Sequence, residues 1–293
     1  MRFLFLLGCI LITACAGTAP VPAPLPPDVQ ADREAKLAEA RADLEKNPDD
    51  ADALIWVGRR TAYLGRYREA IEIFSQGIAK HPDDARLYRH RGHRYVTVRD
   101  FDRAIADFET AARLIEGKPD EVEPDGLPNA QNVPTSTLQS NVWYHLGLAH
   151  YLEGDFDQAL GAYRRSIDVA KNPDMLAATS HWLYMTLRRL GREAEAREVL
   201  ALIGPDLSVI ENHAYLRLLR MYQGEISPEE LRQGAGGDLD PPTLGYGLGN
   251  WYLYNGRKDE AAKVFREVLA GGNRAAFGYV AAEADLKRLG EGR

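Results

Sequence analysis

Between Ala51 and Asp84 the small and apolar residues Leu54, Val57, Gly58, Tyr67, Ala70 and Phe74 recur at helical steps in two runs. Gly65 separates the runs and Pro82 closes the second. Steps of three and four residues mark a helix with one apolar face. The stretch therefore predicts a helix to about Leu64, a turn at Gly65, and a second helix from Tyr67 that stops before Pro82. The same order returns 34 residues on. Tyr88, Gly92, Tyr95, Phe101, Ala104, Phe108 and Ala111 repeat Leu54, Gly58, Thr61, Tyr67, Ala70, Phe74 and Gly77.

A period of 34 with Gly, Ala and Phe in these places resembles the tetratricopeptide pattern, a helix–turn–helix unit. A third unit follows Ser136-Thr137-Leu138-Gln139, which looks like a capping box, and holds Trp143, Leu146, Gly147, Tyr151, Gly154, Phe156, Ala159 and Tyr163. A weaker fourth has Trp182, Leu183, Leu187, Gly191, Ala196 and Leu200. A degenerate fifth runs through a helix to Gln223 and a short helix begun by Ser227-Pro228, and Gly234 to Gly237 end it. The last starts near Pro242 and carries Leu248, Gly249, Tyr252, Gly256, Ala261, Phe265 and Val268. A helix from Ala275 to Leu289 is expected to cap the stack. Its Ala281, Ala282, Ala284 and Leu286 should face the last repeat, and Glu283, Lys287 and Arg288 should face water. The expected fold is all-α, a solenoid of five to six repeats with a C-terminal capping helix.

The repeat breaks once. Residues 117–138 hold Pro119, Pro124, Pro128 and Pro134 among Asp120, Glu121, Glu123 and Asp125. Long loops inside a packed array are functional or disordered. Three readings stand: an acidic surface loop, a lid across the groove, or a docking segment. Four prolines and the Pro124-Asp125-Gly126 turn signal favour order.

The N-terminus carries a different message. Met1-Arg2 and the apolar run Phe3 to Ile12 read as a secretory signal. Ile12-Thr13-Ala14-Cys15 resembles a bacterial lipobox. That resemblance implies cleavage after residue 14 and lipidation of Cys15, with Ala16 pointing to the outer membrane. Residues 15–31, with five prolines from Pro20 to Pro27, predict an extended tether, and at about 3.1 Å per residue it reaches ~50 Å. Asp32 to Lys46 is rich in good helix formers and reads as a lone helix capping repeat one, or as a dimerisation helix. The division is then signal 1–14, tether 15–31, N-terminal helix and first two repeats 32–116, insertion 117–138, and later repeats with cap 139–293.

Net charge is −7, so no overall basic field recommends nucleic acid as a partner. The two cysteines, Cys9 and Cys15, both precede the repeats, so no disulfide framework is available. No His-Glu-x-x-His, Gly-x-Ser-x-Gly or phosphate-binding Gly-rich loop occurs, so the chain reads as non-enzymatic, without cofactor.

In tetratricopeptide stacks the first helix of each pair lines a concave groove. Carried onto this chain, the resemblance implies a lining of Trp56, Arg59, Arg86, Arg89, His90, His93, Asn141, Tyr144, His145, His181, Trp182, Arg189, Tyr246 and Asn250. Aromatic and Arg residues are the usual anchors of interfaces, so protein or peptide partners are expected there. His90 and His93, three apart on one helix face, with His145 leave a second reading, a metal- or small-ligand-binding protein. Arg89 stands at a carboxylate-clamp-like position, whereas Ile55 and Arg59 replace the Lys and Asn of that clamp.

Trp182-Leu183-Tyr184, Tyr222 to Ser227 with Glu230-Leu231, Leu248 to Leu253, and Tyr279 to Gly290 are similar to the NlpI-type lipoproteins. The resemblance covers about residues 180–290. It implies an outer-membrane adaptor, a homodimer, and partners of the protease or peptidoglycan-hydrolase type. The insertion and the Pro-rich tether depart from that family.

Overall fold

The structure is a computed structural model that describes residues 24–233 and 241–291. The signal sequence, the lipobox with Cys15, most of the tether and the expected break at Gly234 to Gly237 lie outside the described residues. Among the described residues six helix pairs follow a lone helix. α1 is Pro27–Lys46. The pairs are α2 (Ala51–Tyr63) with α3 (Tyr67–Lys80), α4 (Ala85–Thr97) with α5 (Phe101–Ile115), and α6 (Leu138–Glu153) with α7 (Phe156–Val169). Then come α8 (Pro173–Arg189) with α9 (Glu193–Ala201), α10 (His213–Gln223) with α11 (Pro228–Gln233), and α12 (Pro241–Tyr254) with α13 (Lys258–Ala270). α14 is Phe277–Arg288. Among the described residues the only pairing of extended backbone is an isolated antiparallel bridge, Val122 to Thr137. No described helix is long and apolar enough to cross a membrane.

Two devices close the pairs, the first in all six described and the second in four. Every turn between partners has one residue with positive φ: Gly65, Arg99, Gly154, Gly191, Gly224 and Gly256. Glycine reaches that region without a Cβ clash. Arg99, at φ 66°, does not. The second device is a glycine on the first helix that lets an aromatic ring of the second lie against its backbone. A Cβ added at Gly58 would stand 2.4 Å from the Phe74 ring. The same holds for Gly92 and Phe108 at 3.0 Å, Gly147 and Tyr163 at 2.8 Å, and Gly249 and Phe265 at 2.5 Å. Every one of these pairs is sixteen residues apart, which is why the period showed in the sequence.

Three boundaries differ from expectation. α1 begins at Pro27, not Asp32. Proline is tolerated in the first turn, where its missing N–H has no intrahelical partner, so the last tether residues are helical. The capping box of α6 is Thr137 with Ser140, one residue beyond the Ser136 pattern. The Thr137 hydroxyl accepts from the Ser140 backbone N–H at 3.2 Å, and the Ser140 hydroxyl accepts from the Thr137 N–H at 2.8 Å. The last helix is shorter at both ends than Ala275 to Leu289.

First helices of successive pairs touch: α2 with α4, α4 with α6, α6 with α8. The second helices stand behind them, so the stack curves with its first helices inside. α8 also meets α12, because the short α10–α11 pair leaves room between them. α14 does more than cap the last pair. It packs on α12 and α13 and also reaches α6. Phe277 lies 5.3 Å from the His93 ring and 5.4 Å from that of His145. Arg99 joins Glu283 at 2.8 Å, and Arg288 Nη1 donates to the Leu152 carbonyl at 2.7 Å. The chain end therefore folds back into the hollow of the stack. Arg99 occupies a glycine's place, and its side chain ties the α4–α5 turn to α14.

Candidate functional site

The inner face divides into two halves with different fates. In the C-terminal half it is closed by α14. Asp285 is 1% exposed in its side chain and meets Arg189 at 3.0 Å and Arg288 at 2.8 Å. The Tyr246 hydroxyl stands 2.8 Å from Asp285 Oδ2 and 2.8 Å from the Tyr151 hydroxyl. It has one proton and a carboxylate only accepts, so Tyr246 donates to Asp285 and accepts from Tyr151. Burial alone would raise the Asp285 pKa. The fields of Arg189 and Arg288 and the bonds from Arg189 and Tyr246 outweigh it and hold the carboxyl below its usual range. Trp182 lies between Tyr151, 5.2 Å away edge-on, and Tyr246, stacked at 5.6 Å. His181 stacks on Tyr222 at 5.8 Å, and Arg189 donates to Asn250 at 3.1 Å.

His181, Trp182, Tyr246 and Asn250 are each at most 1% exposed. They sit on α8 and α12, the first helices of their pairs. They are nevertheless core residues and not an open lining: Tyr215 and Tyr222 of α10 cover His181, Tyr151 and Tyr246 enclose Trp182, and Asp285 of α14 closes over Tyr246. Arg189 is taken by Asp285.

In the N-terminal half the inner face is covered by the insertion. Glu123 is the centre of the contact. Its carboxylate stands 3.1 Å from Arg89 Nε and 3.4 Å from His90 Nε2, and it accepts from Asn141 Nδ2 at 2.9 Å. The Arg89 contact is an ion pair without hydrogen-bond alignment, since that Nε is buried and unpartnered. Burial first, and the neighbouring Arg89 second, hold the His90 pKa well below its usual value. His90 is therefore neutral at neutral pH, and its contact with Glu123 is not an ion pair. Arg60 Nη1 donates to the Gly126 carbonyl at 2.8 Å. Gly126 is seated so closely that a Cβ there would fall 2.1 Å from the Tyr63 hydroxyl. Farther along, Asn129 donates to Glu211 at 3.2 Å, Thr135 donates to the other oxygen of Glu211, and Asn172 donates to the Thr135 carbonyl at 2.7 Å. The insertion is thus an ordered strap from α2 to the α9–α10 connection.

Two cavities flank residues 121–126. One of about 200 Å³ is lined by Arg59, Arg89, His93, Arg94 and Glu211 among others. The other, of about 210 Å³, is lined by Trp56, Arg86 and Val122 among others. Arg59, His90, Glu123 and Pro124 border both. Aromatic rings hold the cations here: Arg59 over Trp56 at 4.5 Å, Arg94 over Tyr67 at 5.7 Å. Arg86 is drawn instead to Asp84 at 2.6 Å and Asp52 at 2.5 Å, and those partners keep its pKa above the usual value.

Of the expected groove residues, the structure brings Trp56, Arg59, Arg89, His90, His93 and Asn141 together around this strap. Tyr144 and His145 lie behind them. Burial takes His145 down to about 3, and its Nδ1 donates to the Asn141 carbonyl at 2.6 Å. His145 also lies 4.7 Å from the His93 ring and 5.7 Å from Phe108. The histidines act as flat aromatic packing groups. Among the described residues no group of three or more His, Cys, Asp or Glu side chains gathers that could hold a metal. Sequence reasoning missed Arg60, Arg94 and Glu211. Glu211 is in a connection with no repeat signal, but Arg94 follows His93 on an inner helix turn and its basic run was readable.

Two family models of the tetratricopeptide repeat match the chain, at residues 140–173 and 243–275. Among curated proteins, the BBSome complex member BBS4 of Bos taurus is 25% identical over 141 residues, 48% of this chain and 23% of that one. Tetratricopeptide repeat protein 12 of Mus musculus is 26% identical over 153 residues, 51% of this chain and 18% of that one. The matched stretches thus span about a fifth of those relatives' length. A solved tetratricopeptide repeat protein from Parabacteroides merdae superposes with a TM-score of 0.50 at 14% identity, over 87% of this chain and 93% of its own. YrrB, a TPR protein with an unusual peptide-binding site, gives a TM-score of 0.46 at 16% identity over 85% of this chain and 97% of its own. The likeness to the Parabacteroides merdae protein, at 14% identity, shows the fold alone.

Proposed function

We propose that this tetratricopeptide-repeat protein is a non-enzymatic scaffold, held at the cell envelope by a lipid on Cys15, that binds protein partners on the inner face of its first three repeats. The observation that supports this reading most is the inner face of α2, α4 and α6. Trp56, Arg59, Arg89 and Asn141 line it, and an extended polypeptide segment already lies across it. A surface that holds one extended segment by side-chain and backbone contacts has the chemistry to hold another. The repeat type agrees, since stacked helix pairs make extended concave binding surfaces. The envelope address rests on the sequence Ile12-Thr13-Ala14-Cys15 and the proline-rich residues behind it. One acyl chain gives marginal anchoring and several give a stable anchor.

The test is co-purification from membranes of cells that make the full chain. The account expects radiolabelled palmitate on the wild type and none after Cys15→Ala. It expects partners to be lost at least about tenfold when Trp56→Ala and Arg59→Ala are combined, as two interface anchors of one to two kcal/mol each require. Partners retained by a folded double variant would refute the inner face as the binding surface.

A further inference from the structure

We propose that residues 121–126 are a tethered stand-in for the partner, which is an extended peptide with an acidic side chain in its interior, and that a partner reaches α2, α4 and α6 by displacing them. This rests on the inner-face reading above and adds what the face recognises and how access is controlled.

The strap is held as a bound peptide is held. One side chain, Glu123, points into the cationic wall and meets Arg89, His90 and Asn141. One backbone carbonyl, of Gly126, is caught by Arg60. The cavities on either side share Arg59 and His90 as walls, so lifting 121–126 would join them into one trough. The trough would expose the guanidiniums of Arg59, Arg89 and Arg94 together, with Asn141 beside them. An interior carboxylate with extended backbone on both sides answers that lining. Each charged hydrogen bond to it is among the stronger polar contacts.

The strap is also built to leave, whereas α14 is not. α14 buries Tyr279, Val280, Ala281, Ala282 and Leu286 around the sealed Asp285. The strap instead turns its apolar residues outward: Val122 is 64% exposed, Leu127 50% and Val133 44%. What fastens it is polar, namely the contacts of Glu123 and Gly126 and the backbone bonds of Glu123 with Ser136 and of Glu121 with Leu138, and such contacts are exchanged for contacts with water when the segment lifts. The tether sets the competition. A segment joined to its own site acts at an effective concentration on the order of millimolar, so a micromolar free peptide loses to it while Glu123 holds.

The probe is a dye-labelled nonapeptide with the sequence of residues 119–127, acetylated and amidated so that it has no terminal carboxylate. It is titrated by fluorescence anisotropy against the full chain. Glu123→Ala removes the internal carboxylate. Gly126→Val removes the fit against Tyr63 and Arg59 and leaves every charge in place, so the test survives if one variant fails to fold. The expectation is binding to either variant at least about tenfold tighter than to wild type, the worth of one charged hydrogen bond. A second peptide with Gln at the position of Glu123 should lose about the same factor. Equal binding to wild type and variants overturns the proposal. So does indifference to the Gln exchange, or no binding to folded variants. If any of these occurs while wild-type partners are still lost on changing Trp56 and Arg59, the scaffold reading stands and only displacement by an acidic segment falls.

Discussion

Asp285→Ala is expected to lower the unfolding free energy by about 3–5 kcal/mol, the cost of leaving a buried cation without its partner. Arg189 is the cation concerned, at 3.0 Å from the carboxylate and 13% exposed. The Tyr246 hydroxyl loses its acceptor in the same step. Urea denaturation measures the change. The pH dependence identifies its source. Asp285 has a folded-state pKa below the unfolded one, so its contribution is fully present above the unfolded value of about 3.9 and disappears as pH falls through the folded value. The difference between wild type and Asp285→Asn should therefore be largest at neutral pH and shrink in acid. A difference that stays constant from pH 7 to below pH 3 would show that the carboxylate's charge is not what holds α14.

Trp182→Ala is the second large effect. Trp182 is 1% exposed and packs against the rings of Tyr151, His181 and Tyr246. Removing a buried indole costs about 3–5 kcal/mol, through lost transfer free energy and a residual cavity. The sequence marked this Trp as a groove anchor. The structure makes it a core residue, so its loss should lower the melting temperature, and partner binding should fall only as folded protein falls. Partner loss at full stability would put Trp182 on an open surface and contradict the fold described.

How the sequence led to Trp182 shows what was legible and what was not. Local pattern identified the helix pairs, because the glycine–aromatic contacts are fixed sixteen residues apart and the turn glycines recur with them. Which side chains line the inner face was implied by the family resemblance and not by the period. Whether the inner face is open depends on contacts between α14 and α4 or α6, separated by well over a hundred residues, and no short-range period records those. Two local exceptions did record them. Arg99 stands where the other turns have glycine, and its side chain reaches Glu283. Asp285 interrupts the apolar face formed by Ala281, Ala282 and Leu286, and it is the anion Arg189 needs. The insertion is a similar case. Its prolines and its Pro124-Asp125-Gly126 turn suggested order, but the pairing of Glu123 with Arg89 follows only from the curvature of the stack. That His90, His93, His145 and His181 are neutral was not legible, since burial lowers their pKa and is set by the packing of distant helices.

The measurement that tests the account most directly is site-specific photocrosslinking in intact cells, comparing a photoreactive residue at Trp56 on the inner face with one at Glu72 on the exposed side of α3. The account predicts crosslinks to other proteins from position 56 and none from position 72. Partner adducts from position 72, with none from position 56, would contradict it.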